Sequence, residues 1–174
     1  MGHQFLMTAG SVIDHDAYTD AYLRDVLGAA RSIAIVGLSS NQNRPSYFVA
    51  KYLQAKGYQI FPVNPREIGN QILGEPVAAS LGDLAKTPEM VDIFRNSAAA
   101  DPITDAAIAV GAKSIWMQIG VRSDVAARRA EKAGLQVVMN RCPKIEYSRL
   151  AGELSWGGFN SNVISAKRRR AVMR

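Results

Sequence analysis

One pattern occurs three times in this chain of 174 residues: apolar residues at helical spacing, a single glycine, and then a short apolar run. The three glycines are Gly57, Gly111 and Gly134. A glycine just past a helix adopts the left-handed conformation that residues with a Cβ resist. Helices that alternate with strands in this way imply parallel strands joined by right-handed crossovers. The pattern predicts an α/β fold: a doubly wound, mostly parallel sheet with helices on both faces.

Continuous apolar runs locate the strands within this architecture, because strands covered by helices on both faces lack polar alternation. The predicted strands are 32–36, 58–61, 90–94, 114–118 and 135–139, with a short edge strand near 76–78. Trp116 and Met117 lie within one of these runs and are expected in the core.

Capping residues and prolines locate the helices. The predicted helix starts are Thr19 or Asp20, Pro45, Asp101 with Pro102, and Ser123, and a closing helix is expected over 143–150. The second helix is predicted to bury a stripe made of Phe48, Val49, Tyr52 and Leu53. We expect one folded domain over residues 19–150, between a flexible N-terminal segment (1–18) and a basic C-terminal tail (151–174).

The composition excludes several classes of protein. No apolar run approaches the roughly 20 residues that cross a bilayer, and the first residues do not resemble a secretory signal, so we expect a cytoplasmic protein. The single cysteine, Cys142, excludes an internal disulfide and a cysteine-based zinc site. His3 and His15 precede the first element and are interpreted as surface residues, so no metal site is expected.

Most of the formal net charge of +6 lies in the predicted tail. Five of the positive charges are Lys167, Arg168, Arg169, Arg170 and Arg174. Such a tail can contact nucleic acid, but a solvated end or a subunit contact is the more common outcome. We do not expect a nucleic-acid partner, and the oligomeric state stays open.

The loop from Gly37 to Pro45 has the composition of a phosphate-binding loop. Gly37 permits a tight turn, and Ser39 and Ser40 offer hydroxyl and backbone donors. Arg44 can pair with phosphate oxygens, and the following helix points its positive end at the loop. Neither the three-glycine dinucleotide motif nor a Walker loop is present.

Arg66 follows the second predicted strand, at the tip where such folds contact the ribose of a nucleotide. A carboxylate at this tip would accept hydrogen bonds from free ribose hydroxyls, whereas a guanidinium favours a ribose that carries phosphate. The strand-end loops hold no carboxylate before Glu67, which predicts an electropositive rim. The expected ligand is a nucleotide with an additional phosphate, on either the 2′ or the 3′ position.

Several segments together resemble the single-domain CoA-binding protein family, which looks like the CoA-binding domain of the succinyl-CoA synthetase alpha subunit. The matching segments are Ile35–Ser39 with Arg44–Ser46, Phe61–Pro65, Asp92–Arg95, Ile115–Val121 and Asn140–Pro143. The resemblance implies a Rossmann-like domain that binds CoA or an acyl-CoA.

The resemblance also implies roles for individual residues. The diphosphate would be held by Gly37, Ser39, Ser40 and Arg44, and the adenosine with its 3′-phosphate by Asn64, Pro65 and Arg66. The pantetheine path would be lined by Phe94, Arg95, Gln118 and Gly120.

Three interpretations remain open from the sequence, and one of them is a regulatory or interaction protein whose basic tail recruits RNA or DNA. A non-catalytic CoA-binding module is favoured, because the predicted site loops offer no set of catalytic groups. The alternative is an NADP-dependent oxidoreductase, since Arg66 could equally meet a 2′-phosphate. Cys142 is either an inert buried thiol or, beside Arg141, a thiolate able to form a mixed disulfide with CoA.

Overall fold

A computed structural model of the protein describes residues 12–152. The helices are α1 (Asp20–Ala29), α2 (Pro45–Ala55), α3 (Ser97–Val110), α4 (Asp124–Lys132) and α5 (Pro143–Leu150). The strands are β1 (Ser32–Val36), β2 (Gln59–Val63), β3 (Gln71–Ile72), β4 (Glu75–Pro76), β5 (Met90–Ile93), β6 (Ser114–Met117) and β7 (Gln136–Val138). Residues 1–11 of the predicted flexible segment and 153–174 of the predicted basic tail lie outside the described residues.

The main sheet is parallel and doubly wound, so the predicted fold class is confirmed. Its strand order is β2-β1-β5-β6-β7, and every pair of neighbours is parallel. The short strands β3 and β4 pair with each other in antiparallel fashion, and Ala78 forms an isolated parallel bridge with Val63. The predicted edge strand near 76–78 therefore takes the form of β4 and this bridge.

Two apolar cores lie on opposite faces of the sheet, and β1 contributes to both. Ile33 and Ile35 belong to the core formed with α1, α2 and α5. Ala34 and Val36 point the other way, into the core formed with α3 and α4. Because successive strand residues face opposite sides, a strand buried on both faces must be apolar throughout, as β1 is.

The strands end on a common row, which places the loops that follow them at one edge of the sheet. Val36 pairs in register with Val63 of β2 and with Ile93 of β5, and Ile93 pairs with Met117 of β6. The loops after β1, β2, β5 and β6 consequently open side by side.

The predicted start of α3 at Asp101 is wrong. The helix begins at Ser97, because the side chain of Asn96 accepts a hydrogen bond from the backbone N–H of Ala99 at 3.0 Å. Pro102 lies inside the helix, where its missing N–H deprives the carbonyl of Ala98 of a partner. Ala98 is exposed, so water can replace that bond.

The prediction that Phe48 belongs to the buried stripe of α2 is also wrong. Its side chain is 54% exposed, while Val49, Ala50 and Leu53 of the same helix are buried. Trp116 and Met117, in contrast, are fully buried in the core, as predicted.

His15 is not the surface residue that the sequence predicted, because its side chain is only 13% exposed. One ring nitrogen lies 2.7 Å from the hydroxyl of Tyr18, and the other lies 2.9 Å from a carboxylate oxygen of Glu131. These contacts hold the segment before α1 against α4. Among residues 12–152, no helix has both the length and the apolar character needed to cross a membrane.

Candidate functional site

The order of the strands reverses between β1 and β5, which is where ligands bind in open α/β sheets. Gly37 leaves β1 with a φ of +91°, and a Cβ placed on it would lie 2.5 Å from the carbonyl oxygen of Phe94. The backbones of the β1 and β5 loops thus approach so closely that only glycine fits. A shallow crevice results at this point of the sheet edge.

The loop from Gly37 to Arg44 is organised by its own serine and asparagine side chains. The hydroxyl of Ser46, in the first turn of α2, accepts a hydrogen bond from the backbone N–H of Ser39 at 3.2 Å. The hydroxyl of Ser39 in turn accepts one from the N–H of Asn41 at 3.1 Å. Arg44 directly precedes α2, and its side chain makes no capping hydrogen bond and is exposed. Among residues 12–152 no side chain pairs with this guanidinium, which belongs to the residue just before the positive end of the helix.

Asn64 connects this loop to the loop after β2. Its Nδ2 donates to the carbonyl oxygen of Leu38 at 2.9 Å, and its Oδ1 accepts from the backbone N–H of Arg66 at 3.0 Å. The second bond caps the short 3₁₀ turn Pro65–Glu67. Asn64 is 9% exposed, so it fixes the relative position of the two loops from within.

Glu67 contributes the negative charge of the predicted electropositive rim. Its Oε1 accepts a hydrogen bond from the backbone N–H of Ser40 at 3.0 Å, and its Oε2 accepts one from the side chain of Asn70 at 3.2 Å. The hydrogen bonds from Ser40 lower the pKa of the Glu67 carboxyl below its ordinary value. The Glu67 carboxylate thus already accepts from the Ser40 N–H, which is one of the donors that the sequence analysis assigned to phosphate binding.

A cavity of about 410 Å³ lies at the crevice and brings together six of the predicted site residues. They are Gly37, Ser39, Arg44, Asn64, Arg66 and Phe94, and the lining also includes Pro45, Ser46 and Glu67. We call this the loop cavity. Arg44 and Arg66 contribute two positive charges to it and Glu67 one negative charge, which leaves a net positive lining.

A second cavity, of about 690 Å³, extends from the first along the strand ends. Its lining includes the predicted residues Phe94, Arg95 and Gln118 together with Val49, Ile119, Cys142 and Ile145. We call this the arm cavity. Pro45 and Phe94 line both cavities, so the two are neighbours separated by these side chains.

Three predicted site residues lie outside both linings. Ser40 is exposed and bonded to Glu67, and Pro65 begins the exposed 3₁₀ turn. Gly120 has a φ of +82°, and its N–H donates to the side chain of Asn140 at 2.8 Å. These residues shape the loops around the cavities.

Asp92 is a fully buried acid that the sequence analysis did not place in the site. The amide nitrogen of Gln118 donates to both of its carboxylate oxygens, at 2.9 and 3.0 Å. Burial raises the pKa of the Asp92 carboxyl to about 8. Gln118 also lines the arm cavity, so its side-chain amide connects the buried acid to that cavity.

The environment of Cys142 favours an inert thiol over a thiolate. The residue is 8% exposed, and burial raises the pKa of its thiol above the ordinary value. The guanidinium of Arg141 lies over the ring of Tyr18, 5.7 Å from its centroid. At neutral pH the sulfur of Cys142 is therefore protonated.

The residues that sequence reasoning missed carried weak local signals. Asp92 interrupts an apolar strand, and a lone acid inside such a run marks a buried polar contact. Ile119 and Ile145 are exposed apolar residues, 62% and 46% respectively, and nothing in their spacing indicated that they line a cavity. The contact of Glu67 with Ser40 spans 27 positions and has no local signature.

Comparison with known proteins yields one family and several similar chains. A family model described as a CoA binding domain matches residues 31–148, more than half of the chain. The uncharacterized protein YneT of Bacillus subtilis (strain 168) is 30% identical over 128 residues, which cover 74% of this chain and 93% of YneT.

Several solved structures are also similar to this chain in sequence and fold. A hypothetical protein from Pyrococcus horikoshii OT3 is 34% identical, with a TM-score of 0.73, over 81% of this chain and 98% of that chain. The structure of cell-free ID.343 from Thermus thermophilus is also 34% identical, with a TM-score of 0.72, over 76% of this chain and 99% of that chain. The similarity thus covers nearly the whole length of the two solved chains and 76% to 81% of this one.

Proposed function

The chain belongs to the CoA binding domain family, and we propose that it holds CoA or an acyl-CoA at the carboxyl edge of its sheet, as a binding module and not as an enzyme. In this proposal the nucleotide occupies the loop cavity and the pantetheine arm occupies the arm cavity. Both cavities open beside the point where the strand order reverses.

The loop cavity has the charges that a phosphorylated nucleotide requires. Arg44 and Arg66 are both exposed on its lining, and guanidinium groups bind phosphate oxygens through paired hydrogen bonds. In the proposed mode Arg44, with the backbone of Ser39 and Ser40, binds the diphosphate. Arg66, at the tip of β2, binds the 3′-phosphate.

The arm cavity has the mixed character that a pantetheine arm requires. Its apolar side chains, among them Val49 and Ile119, can contact the methylene and methyl groups of the arm. The side-chain amide of Gln118 can form a hydrogen bond with an amide group of the ligand. Asp92 holds the Gln118 side chain in place through two hydrogen bonds.

The single observation that carries the proposal is the sharing of Phe94 and Pro45 by the two cavities. A cationic cavity for phosphates is common to many nucleotide ligands. A cationic cavity that lies beside a second cavity with several apolar side chains fits a nucleotide with a long flexible arm. No observation favours the NADP-dependent oxidoreductase over this proposal.

Isothermal titration calorimetry with four ligands tests the proposal: CoA, dephospho-CoA, NADPH and 3′,5′-ADP. We expect CoA to bind more tightly than NADPH. The Arg66→Ala variant is expected to lose about tenfold in affinity for CoA and much less for dephospho-CoA, because only CoA carries the 3′-phosphate.

Arg129→Ala provides the matched control, because Arg129 pairs with Asp105 of α3 at 3.0 Å and lines neither cavity. This variant should leave both affinities unchanged. Equal losses for CoA and dephospho-CoA in Arg66→Ala would refute the role of Arg66. Tighter binding of NADPH than of CoA by the unmodified protein would refute the proposed ligand.

A further inference from the structure

A third cavity, of about 530 Å³, continues from the arm cavity on the side away from the loop cavity. Ile119, Cys142 and Ile145 line both the second and the third cavity, and neither Phe94 nor Arg44 lines the third. The three cavities therefore follow one another along the sheet edge. If the arm occupies the second, its sulfur end and anything attached to it point toward the third.

The acidic groups of this third cavity are paired with two arginines. Asp20 and Glu146 both line it, and both bind Arg149, at 2.8 and 2.7 Å respectively. Glu146 is 8% exposed, and its second oxygen forms an ion pair with Nε of Arg141 at 3.8 Å, which is too long for a hydrogen bond. The two acids and the two arginines of the lining therefore balance in charge, and the guanidinium N–H groups of Arg141 keep free donor capacity.

The groups left without an acceptor are nitrogen donors. The side-chain oxygen of Asn140 accepts from Gly120, which leaves its Nδ2 without a hydrogen bond within residues 12–152. The guanidinium of Arg141 donates only to the carbonyl oxygen of Asn140, at 3.2 Å, in the same part of the chain. Both residues line the third cavity.

A cavity whose acids are paired and whose free groups are donors favours a ligand group that accepts hydrogen bonds, such as a carboxylate. We propose that the third cavity binds the acyl part of an acyl-CoA, and that it selects short acyl groups that end in a carboxylate. Arg141 and Asn140 bind that carboxylate. This inference rests on the proposed function, because the position of the acyl group follows from that of the arm.

Two thioesters of equal chain length test the selectivity: glutaryl-CoA, which ends in a carboxylate, and pentanoyl-CoA, which ends in a methyl group. By calorimetry at low salt we expect the unmodified protein to bind glutaryl-CoA about tenfold more tightly. Arg141→Met should remove this preference and leave the affinity for free CoA unchanged. Arg129→Met, which removes the same charge from α4, should preserve the preference.

A second variant keeps the test valid even if Arg141→Met does not fold. Asp20→Asn removes one carboxylate from the cavity and should increase the preference for glutaryl-CoA, because less negative charge opposes the incoming group. Equal affinities of the unmodified protein for the two thioesters, or a preference that survives Arg141→Met, would overturn the inference while CoA binding itself stood. Failure of free CoA to bind would instead overturn the proposed function.

Discussion

The carboxylate of Glu67 accepts a hydrogen bond from the backbone N–H of Ser40 at 3.0 Å. This contact joins the tip of β2 to the loop after β1 and places a negative charge where the proposed diphosphate would find a donor. In the absence of ligand, the loop is thus satisfied by an anion from its own chain. A ligand must displace that anion or bind beside it.

We expect Glu67→Gln to tighten CoA binding by about three- to tenfold, because a neutral amide neither repels the phosphates nor competes as strongly for the N–H of Ser40. Calorimetry at pH 7 measures the change. Glu75→Gln is the matched control, since Glu75 lines a separate cavity beside β4. Weaker CoA binding by Glu67→Gln would mean that the carboxylate supports the bound state of the loop.

Gly37→Ala should destabilise the protein more than Gly111→Ala. Both glycines have positive φ, +91° and +82°, so each alanine costs about 1–2 kcal/mol in backbone strain. A Cβ on Gly111 meets nothing within 4 Å, whereas a Cβ on Gly37 meets the backbone of Phe94. In Gly37→Ala the clash should reduce the free energy of unfolding by about a further 1–3 kcal/mol, which urea denaturation measures. Only Gly37→Ala should also weaken CoA binding. Equal destabilisation by both variants would contradict this account of the crevice.

Asp92 should make the folded state less stable as the pH rises. Its pKa is raised from the ordinary 3.8 to about 8, so between these values the folded protein holds a proton that the unfolded chain lacks. The unfolding free energy should fall with pH across this window, by at most about 1.4 kcal/mol per pH unit from this group.

Asp92→Asn removes the titrating carboxyl group. The side-chain amide of Gln118 can reorient so that its oxygen accepts a hydrogen bond from the amide introduced at position 92. Urea denaturation of both proteins at pH 5, 7 and 9 provides the comparison. The stability of Asp92→Asn relative to the unmodified protein is expected to rise from pH 5 to pH 9. Parallel pH profiles would show that Asp92 is ionised in the folded state.

Cys142 should react slowly in the folded protein. Burial raises the pKa of its thiol, so little thiolate is present at pH 7. We expect iodoacetamide to modify it far more slowly than in urea, and CoA to protect it further because Cys142 lines the arm cavity. Rapid formation of a mixed disulfide with oxidised CoA at pH 7, detected by mass spectrometry, would contradict this prediction.

The fold followed from the sequence because its signals are local and repeated. Gly57, Gly111 and Gly134 all have positive φ, as predicted for residues that end helices. The predicted start of α3 was wrong for an equally local reason, because the sequence offers two possible capping residues, Asn96 and Asp101, five positions apart. The structure uses Asn96, and the hydroxyl of Ser123 donates to the carboxylate of Asp101 at 2.6 Å instead.

The grouping of the candidate residues at one edge was predicted because it depends on strand ends, whereas contacts between side chains distant in sequence were missed. Gly37, Arg44, Asn64 and Arg66 follow strands whose ends align, so the topology alone brings them to one edge. The partnership of Asp92 with Gln118 depends on strand register, which spacing within one strand does not determine. The same limit applies to Glu67, whose partner is fixed only by the folded loops.

The two hydrogen bonds of Asn64 have one further consequence. The side-chain amide of Asn64 joins the backbone of Leu38 to that of Arg66. The two loops that are proposed to bind the nucleotide are therefore held in a fixed relative position. The backbone of these two loops is therefore ordered before the ligand arrives, and binding requires little further ordering of the main chain. Association should accordingly resemble docking onto a rigid surface.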